Sequence, residues 1–163
     1  MEEPSKNPSA SGDGALSFLE IAERIPHGPG LVLIDRLLHF DEFTIEAMTR
    51  SHQRPDHPLA REDGSLPIAA GIEYGGQTIA LHLALLGSPS SRTPGIGLLV
   101  RARNLRWSRD RLDTLKPPMR LWARRIDFTP PLALYHFELS CPEEKEILQG
   151  LLTVFLTPLS QPT

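Results

Sequence analysis

Cysteine is almost absent from this sequence, since Cys141 is the only one among 163 residues. One cysteine cannot form a disulfide within the chain, and no cysteine–histidine cluster with metal-ligand spacing accompanies it. Zinc fingers, redox CxxC motifs and secreted disulfide scaffolds are therefore excluded, and we expect no bound metal. A chain of this length buries roughly two-thirds of its unfolded surface, so its core needs no disulfide or metal to stabilise it. The cysteine usage favours the cytoplasm.

The sequence also lacks an apolar run typical of a signal peptide or a membrane span. Residues 1–14 are rich in Pro, Ser and Gly and predict a disordered tail. The longest apolar window, residues 66–86, contains Glu73, Gln77 and His82. A carboxylate in the middle of a bilayer is costly. We therefore interpret this window as a helix buried inside a soluble protein, with no membrane partner.

Proline, in contrast, is abundant: the 16 prolines are roughly twice ordinary usage and argue against a helical bundle. The periodicity predicts helices at 18–25 and 67–87, strands at 31–40, 44–49, 95–107, 119–128, 132–140 and 147–156, and a long loop at 51–66. The second helix is apolar on nearly all sides, so other elements must wrap it. We predict one α+β domain at 15–158, an antiparallel sheet around a long central helix with a short N-terminal helix, followed by a tail at 159–163.

Two segments carry recognisable motifs. Residues 25–36 read I-P-H-G-P-G-L-V-L-I-D-R, and residues 66–80 read L-P-I-A-A-G-I-E-Y-G-G-Q-T-I-A. The first resembles the L-P-H-x-x-P-x-L-L-[VI]-D-R segment of FabA/FabZ-type 3-hydroxyacyl-acyl-carrier-protein dehydratases. The second is similar to their helix motif and closer still to the ApeP-like branch, which is associated with aryl polyene and related fatty-acid-like pathways. The resemblance covers residues 18–157 and implies a hotdog fold and a dehydratase activity.

Dehydration of a 3-hydroxyacyl thioester needs a base for the C2 proton, an acid for the C3 hydroxyl and donors for the thioester carbonyl. Glu73 is the predicted acid/base, and burial on an apolar helix predicts a raised pKa. Gln77 lies on the same helix face and is expected to hold the carboxyl group. The first-turn amides of Ile68 and Ala69 are the expected carbonyl donors. A half-exposed structural glutamate is the alternative interpretation of Glu73.

The second catalytic group is less well marked. In the dehydratases a histidine lies in a G-H-F-x-G-x-P-x-M-P-G loop before the helix, whereas residues 56–67 here read D-H-P-L-A-R-E-D-G-S-L-P. His57 is the candidate by position, although it lies ten residues before the helix-opening proline instead of eight, and a surface histidine is the alternative. His52 is a lesser candidate. We expect a packing or hydrogen-bonding role for His27 and a satisfied core or interface position for His82.

Charge is unevenly distributed along the chain. Residues 101–125 contain nine basic and two acidic side chains, a local charge of +7, which leaves −10 for the rest of a chain of net charge −3. A basic region attracts an acidic partner, and acyl carrier proteins are acidic and carry a phosphate. The predicted carrier-binding residues are Arg101, Arg103, Arg106, Arg124 and Arg125. A solvated sheet face is an equal alternative, and nucleic acid is less favoured because two tryptophans in strands are usually core.

Hypotheses of two classes follow from these residues and the resemblance. In the first, the protein dehydrates 3-hydroxyacyl thioesters through Glu73 and His57, with no cofactor other than the phosphopantetheine that carries the substrate. In the second, it is a non-catalytic hotdog subunit that binds an acyl chain or a partner. Hotdog thioesterases are a further alternative. The resemblance implies a homodimer or heterodimer in which the carboxylate of one subunit works opposite the histidine of the other.

Overall fold

The computed structural model describes residues 15–25, 27–87 and 96–157; the predicted tails at 1–14 and 159–163 lie outside the described residues. The helices are α1 (Phe18–Ala22) and α2 (Ala70–Leu86), with short 3₁₀ helices at Pro29–Leu31 and Ser51–Gln53. The strands are β1 (Arg36–Phe40), β2 (Thr44–Thr49), β3 (Ile96–Trp107), β4 (Met119–Thr129), β5 (Leu132–Cys141) and β6 (Glu144–Thr157). The order of helices and strands therefore agrees with the prediction.

The strands form one six-stranded sheet in the order β1-β2-β4-β5-β6-β3, and every neighbouring pair is antiparallel. β4, β5 and β6 follow one another as hairpins, whereas β3 precedes them in sequence and lies beyond β6. β1 and β3 are the two edges of the sheet. The curled antiparallel sheet that the sequence predicts is confirmed.

Helix α2 packs on one face of this sheet, in contact with five of its strands. Two glycines let it approach closely: a Cβ atom at Gly71 would lie 2.4 Å from Leu148 Cδ2, and one at Gly75 would lie 2.6 Å from Phe137 Cδ2. Each large apolar side chain buried here contributes roughly 1.5–3 kcal/mol to folding. The apolar character of α2 is thus explained by the sheet wrapped around it.

One predicted strand is shorter than expected, because β1 begins only at Arg36 and not at Leu31. Val32, Leu33 and Ile34 before it are buried, and side chains rather than a neighbouring strand satisfy the backbone of Leu33. Gln77 Oε1 accepts from the Leu33 amide at 2.8 Å, and the Ser51 hydroxyl donates to the Leu33 carbonyl at 2.8 Å. The hydrophobic pattern alone does not show whether a buried backbone is hydrogen-bonded by a neighbouring strand or by side chains.

The two helices are also shorter than predicted. α1 begins at Phe18 as expected, but it ends at Ala22. At its N-cap, Ser17, the Glu20 carboxylate accepts from the Ser17 amide and hydroxyl. α2 begins at Ala70 because Pro67 is held in an isolated β-bridge with Arg111. Ile68 and Ala69 form a turn between this bridge and the helix, in which the Ala70 amide donates to the Pro67 carbonyl at 3.0 Å.

Candidate active site

Glu73 lies in the first turn of α2, where its side chain keeps 41% of its surface exposed. Two side chains hold its Oε1 atom: Nε2 of Gln77 donates at 3.1 Å, and Nε2 of His27 lies 3.2 Å away. The sequence predicted a packing or hydrogen-bonding role for His27 but did not identify Glu73 as its partner. The signal that marks it is the I-P-H motif, which precedes the buried segment that Gln77 also binds.

The pKa of Glu73 is lowered from its ordinary value, which corrects the expectation of a raised one. The hydrogen bond from His27 is the largest cause, burial acts in the opposite direction, and the bond from Gln77 lowers the pKa further. An ionised carboxylate only accepts hydrogen bonds, so His27 Nε2 must carry a proton. Glu73 is therefore a carboxylate at neutral pH, ready to accept a proton.

Gln77 is itself held rigidly, with 1% of its surface exposed. Its Oε1 accepts from the Leu33 amide and its Nε2 donates to the Leu31 carbonyl, both at 2.8 Å. These two bonds fix which end of the amide faces Glu73, because only the NH₂ group can donate to both oxygens. The Glu73 carboxylate is therefore positioned by the extended segment that precedes β1.

His57 contacts Tyr74, the residue after Glu73 on α2, and is 5% exposed. Its Nδ1 accepts from the Leu59 amide at 3.1 Å, and its Nε2 lies 2.9 Å from the Tyr74 hydroxyl. Because a backbone amide can only donate, Nδ1 carries no proton and Nε2 carries it. Burial lowers the pKa of His57. Both ring nitrogens are thus committed within the chain, and the imidazole is neutral.

A chain of hydrogen bonds continues inward from His57. The Tyr74 hydroxyl lies 2.8 Å from the Ser51 hydroxyl, which donates to the Leu33 carbonyl, and Thr49 Oγ1 also donates to that carbonyl at 2.6 Å. Burial raises the pKa of the Tyr74 hydroxyl, so it remains protonated. The Glu73 cluster binds the amide of Leu33 and the His57 cluster binds its carbonyl. One buried residue therefore separates the two candidate groups.

Glu73 and His57 differ in their surroundings. A cavity of about 320 Å³ beside His57 is lined by His52, Gln53, Arg54, Pro55, His57, Gly64, Leu66 and Asp113, and Glu73 is not among its walls. Glu73 instead contacts His27 and Gln77. The two predicted catalytic residues therefore belong to different hydrogen-bonded clusters.

Two backbone amides at the start of α2 were predicted to be free to donate to a thioester carbonyl. The Ile68 amide donates to the Asp110 carbonyl at 2.9 Å, so it is not free for a thioester. The expectation for Ile68 is therefore wrong, because the β-bridge segment already uses its donor. The Ala69 amide, in contrast, donates no hydrogen bond to any of the described residues, and Ala69 is exposed. Ala69 stays a candidate carbonyl donor.

Two other histidines are buried. His82 is fully buried and satisfied, with Nδ1 2.9 Å from the Tyr135 hydroxyl and Nε2 2.8 Å from the Asp41 carbonyl, as expected for a core histidine. His52 lines the cavity; its Nε2 lies 3.2 Å from the Leu115 carbonyl, and its Nδ1 is buried without a partner among the described residues. Burial lowers the pKa of both imidazoles.

Much of the basic charge of residues 101–125 is neutralised locally. Four ion pairs join Arg109 to Glu144, Arg111 to Asp113, Lys116 to Glu143 and Arg120 to Glu46. Arg125 is largely covered: it pairs with Glu42 at 3.6 Å and packs over the rings of Phe43 and Phe128. Arg101, Arg103, Arg106 and Arg124 are exposed and have no ion-pair partner among the described residues.

These four arginines share one face of the sheet. Arg124 faces His136, His136 faces Leu151, and Leu151 faces Arg103, so Arg124 and Arg103 lie in one cross-strand row. Three strand spacings, roughly 14 Å, separate them. The five predicted carrier-binding residues are therefore not one continuous rim: Arg125 is covered, Arg124 lies near the middle of the sheet, and the other three lie on β3.

No group of three His, Cys, Asp or Glu side chains in the described residues is placed to hold a metal ion. No helix of the described part of the chain is long and apolar enough to cross a membrane.

Comparison with solved structures finds hotdog proteins. The ApeI:P dehydratase heterocomplex from Xenorhabdus doucetiae matches with a TM-score of 0.75 and 16% identity, over 85% of this chain and 91% of that chain. A thioesterase from Haemophilus influenzae matches with a TM-score of 0.62 and 15% identity, over 91% and 96%. A mutant thioesterase from Pseudomonas aeruginosa gives 0.55 and 18%, over 76% and 81%. At such identities these likenesses establish the hotdog fold alone.

Comparison of the sequence with curated proteins gives no match. Comparison with protein families does: residues 19–161 match the ApeP-like dehydratases. The match includes both motifs and every element from α1 to β6. The chain therefore belongs to the ApeP-like dehydratase family.

Proposed function

We propose that the protein removes water from a 3-hydroxyacyl thioester that an acyl carrier protein presents on phosphopantetheine, in fatty-acid-like, polyketide-type or aryl polyene synthesis in the cytoplasm. The observation that carries the proposal is the Glu73 carboxylate, held on the central helix by Gln77 and His27 and still partly exposed. Membership of the ApeP-like dehydratases supports the reaction type.

In this elimination the C2–H bond breaks, its electron pair forms the C2=C3 double bond, and the C3–O bond breaks as the oxygen leaves in water. The lowered pKa of Glu73 keeps it ionised and suits it to accept the C2 proton. The leaving oxygen needs one proton, and the proton taken from C2 supplies it, so the reaction has no net proton demand. The exposed Ala69 amide is the proposed donor to the thioester carbonyl.

A catalytic role for His57 stays a prediction. To act on a substrate, its imidazole must give up the bond to Tyr74, because its other nitrogen is held by the Leu59 amide. We propose instead that His57 orders the loop against α2 and that His27 is the histidine that assists Glu73. The predicted binding of a carrier protein by the arginines likewise stays a prediction.

We propose a second hotdog subunit as a partner. The structurally similar dehydratase is a heterocomplex, and Glu73 is exposed enough to face another chain. A homodimer is the other form that the family resemblance allows. Either form would supply walls for the acyl chain that a single sheet and helix do not provide.

The test is to incubate the purified chain, alone and with a candidate partner subunit, with a short 3-hydroxyacyl carrier protein. Mass spectrometry of the carrier distinguishes an enoyl product, formed by loss of water, from release of a free acid. Glu73→Gln should lower turnover by about 10²- to 10⁴-fold. Release of free acid would identify a thioesterase, and the absence of either product would favour a non-catalytic subunit.

The chain offers a matched control for this variant. Glu138 on β5 also lies near a histidine, with Nδ1 of His136 at 3.6 Å and 40% of its side chain exposed. It lies on the sheet and away from α2. Glu138→Gln should therefore retain full turnover, and an equal loss in both variants would contradict the assignment of Glu73.

A further inference from the structure

Three glycines lie inside α2, and the packing of the chain explains two of them. A Cβ atom at Gly71 or Gly75 would clash with side chains of the sheet. A Cβ atom at Gly76 would meet no other part of the described chain within 4 Å. Gly76 has no positive φ, since Gly64 is the only glycine with one among the described residues. Because glycine inside a helix is less stable than alanine, the fold itself gives no reason for Gly76.

Gly76 lies one turn after Glu73 on the partly exposed side of α2. Helical side chains lean back toward the N-terminus, over the preceding turn. Gln77 does this, since its Nε2 donates to Glu73 Oε1 at 3.1 Å. A side chain at position 76 would lean over the same turn, on the side of Glu73 away from Gln77. Gly76 therefore leaves bare the helix surface next to the carboxylate, whose Oε2 accepts no hydrogen bond from the described residues.

The proposed reaction sets the direction of the acyl chain along α2. In it, the Ala69 amide at the N-terminal end of the helix binds the carbonyl oxygen, and C2 lies against the Glu73 carboxylate, at roughly 3–3.5 Å. C3 and the rest of the chain lie on the side of C2 opposite the carbonyl, toward the C-terminal end of the helix. Residue 76, roughly 4.5 Å further along the axis, is the first that the chain meets.

The surface of α2 beyond Gly76 suits an alkyl chain. Ala80 and Leu83, one and two turns further, are apolar and partly exposed, and no Asp, Glu, Lys or Arg follows Glu73 on the helix. Leu31 is 51% exposed, and its carbonyl binds the same nitrogen of Gln77 as the Glu73 carboxylate does. Contact with apolar surface of this kind favours binding of each CH₂ group. The chemistry beside Glu73 therefore matches an apolar substituent of the substrate.

We propose that Gly76 determines which acyl groups are accepted: the unbranched alkyl chain beyond C3 lies against bare backbone at Gly76 and continues over Ala80. The inference rests on the proposed function, because that function places C2 at Glu73. It adds the substrate class, 3-hydroxyacyl groups with an alkyl chain longer than that of 3-hydroxybutyryl. A methyl group at position 76 would take part of the space for this chain, and an isobutyl group would fill it.

Substitution at position 76 tests this through chain-length selectivity. The unaltered chain, Gly76→Ala and Gly76→Leu are assayed on 3-hydroxybutyryl and 3-hydroxyoctanoyl carrier proteins, with the candidate partner subunit where turnover requires it. The quantity measured is the ratio of kcat/KM for the octanoyl substrate to that for the butyryl substrate. We expect it to fall about tenfold in Gly76→Ala and about 100-fold in Gly76→Leu, as changes of size in an apolar pocket do.

A matched control adds the same side chain to α2 outside the proposed path. Ala84 lies two turns beyond Gly76 and is partly exposed, so Ala84→Leu should leave the ratio unchanged. Thermal melting checks folding: Gly76→Leu should melt no lower than the unaltered chain, since leucine favours a helix and the added Cβ meets free space. If Gly76→Leu does not fold, Gly76→Ala carries the test with one added methyl group.

Binding of non-reacting analogues separates this inference from the proposed activity. Butanoyl- and octanoyl-pantetheine amides have no 3-hydroxyl group to lose, and calorimetry gives their Kd. The octanoyl amide should bind the unaltered chain, and Gly76→Leu should weaken it at least about tenfold more than the butanoyl amide. Octanoyl binding that depends on Gly76, without turnover of either substrate, contradicts only the proposed activity. Turnover by the unaltered chain with an unchanged ratio in both variants contradicts only this inference.

Two further outcomes would overturn the proposal. If the unaltered chain, alone or with the candidate partner subunit, does not bind the octanoyl amide, no acyl chain lies at Gly76. An equal loss of turnover for both chain lengths in Gly76→Leu would also contradict it. Weaker association with the partner in sedimentation velocity would then assign the bare surface to a subunit contact.

Discussion

Glu73 and Tyr74 are neighbours on α2, and each contacts a histidine, yet their surroundings are opposite. Glu73 meets His27 on a face where its side chain is 41% exposed, whereas Tyr74 meets His57 in the core and is fully buried. A step of one residue on a helix turns a side chain by about 100°. Glu73 thus belongs to a partly exposed, charged cluster with His27, the open cluster. Tyr74 belongs to a buried, neutral cluster with His57 and Ser51, the closed cluster.

The comparison teaches that a histidine beside a polar group is not by itself a catalytic pair. In the open cluster a carboxylate with a lowered pKa is partly exposed to solvent. In the closed cluster every hydroxyl and ring nitrogen from His57 to Leu33 is already bonded within the chain. Satisfied polar networks of this kind make the core unique and rigid.

The largest expected effect is on the closed cluster. Tyr74→Phe leaves the His57 Nε2–H without its partner, also removes a hydrogen bond to the Ser51 hydroxyl, and should lower the free energy of unfolding by about 2–4 kcal/mol. Tyr135→Phe removes only the bond to His82 and should cost about 1–2 kcal/mol. Urea denaturation measures both. A stable Tyr74→Phe protein would show that the network is dispensable.

The next largest effects are expected at two adjacent glycines of α2, of which Gly75 lies on the packed face and Gly76 on the open face. Gly75→Ala places a Cβ 2.6 Å from Phe137 and should destabilise by about 1–3 kcal/mol through overpacking. Gly76→Ala meets no atom within 4 Å and should stabilise by about 0.4–1 kcal/mol, since alanine favours a helix. Thermal melting compares the two variants. Effects of the same sign would contradict this assignment of faces.

The two histidines should differ in their effects on activity. His27→Gln removes the main cause of the lowered pKa of Glu73 and should reduce kcat/KM at neutral pH about tenfold, or about 1.4 kcal/mol. It should also move the acidic limb of the pH–rate profile to higher pH, because the pKa of Glu73 rises. His57→Gln should leave that limb in place. The rate of enoyl formation against pH measures both, and the opposite result would restore His57 as the catalytic histidine.

The smallest effect expected is a difference in pH dependence. Burial lowers the pKa of His52, His57 and His82 from 6.5. The unfolded chain then binds more protons below 6.5, so the stability from these residues is complete above 6.5 and is lost as the pH falls toward their folded values. Glu73, with its pKa lowered from 4.5, loses its contribution only below 4.5. Urea midpoints measured across this pH range should fall less steeply just below pH 6.5 in His57→Gln than in the unaltered chain.

Several features followed from the pattern of residues alone. β2 was predicted at 44–49 and is observed as Thr44–Thr49, because alternating side chains leave little freedom of register. The Glu73–Gln77 contact followed from their i+4 spacing. The start of β1 and the start of α2 did not follow, because the side chains of Gln77 and Ser51 and a bridge to Arg111 decide them. All three partners are distant in sequence.

The sequence by itself determined the central helix, its carboxylate and the family, because helical periodicity and a local motif are properties of neighbouring residues. Only the tertiary structure decided that His27 reaches Glu73, that His57 is enclosed with Tyr74 and that the pKa of Glu73 falls. It also decided that five of the basic side chains of residues 101–125 form ion pairs while three arginines remain on the edge strand β3. Charge and hydrogen bonding act across space, and a linear pattern does not contain those distances.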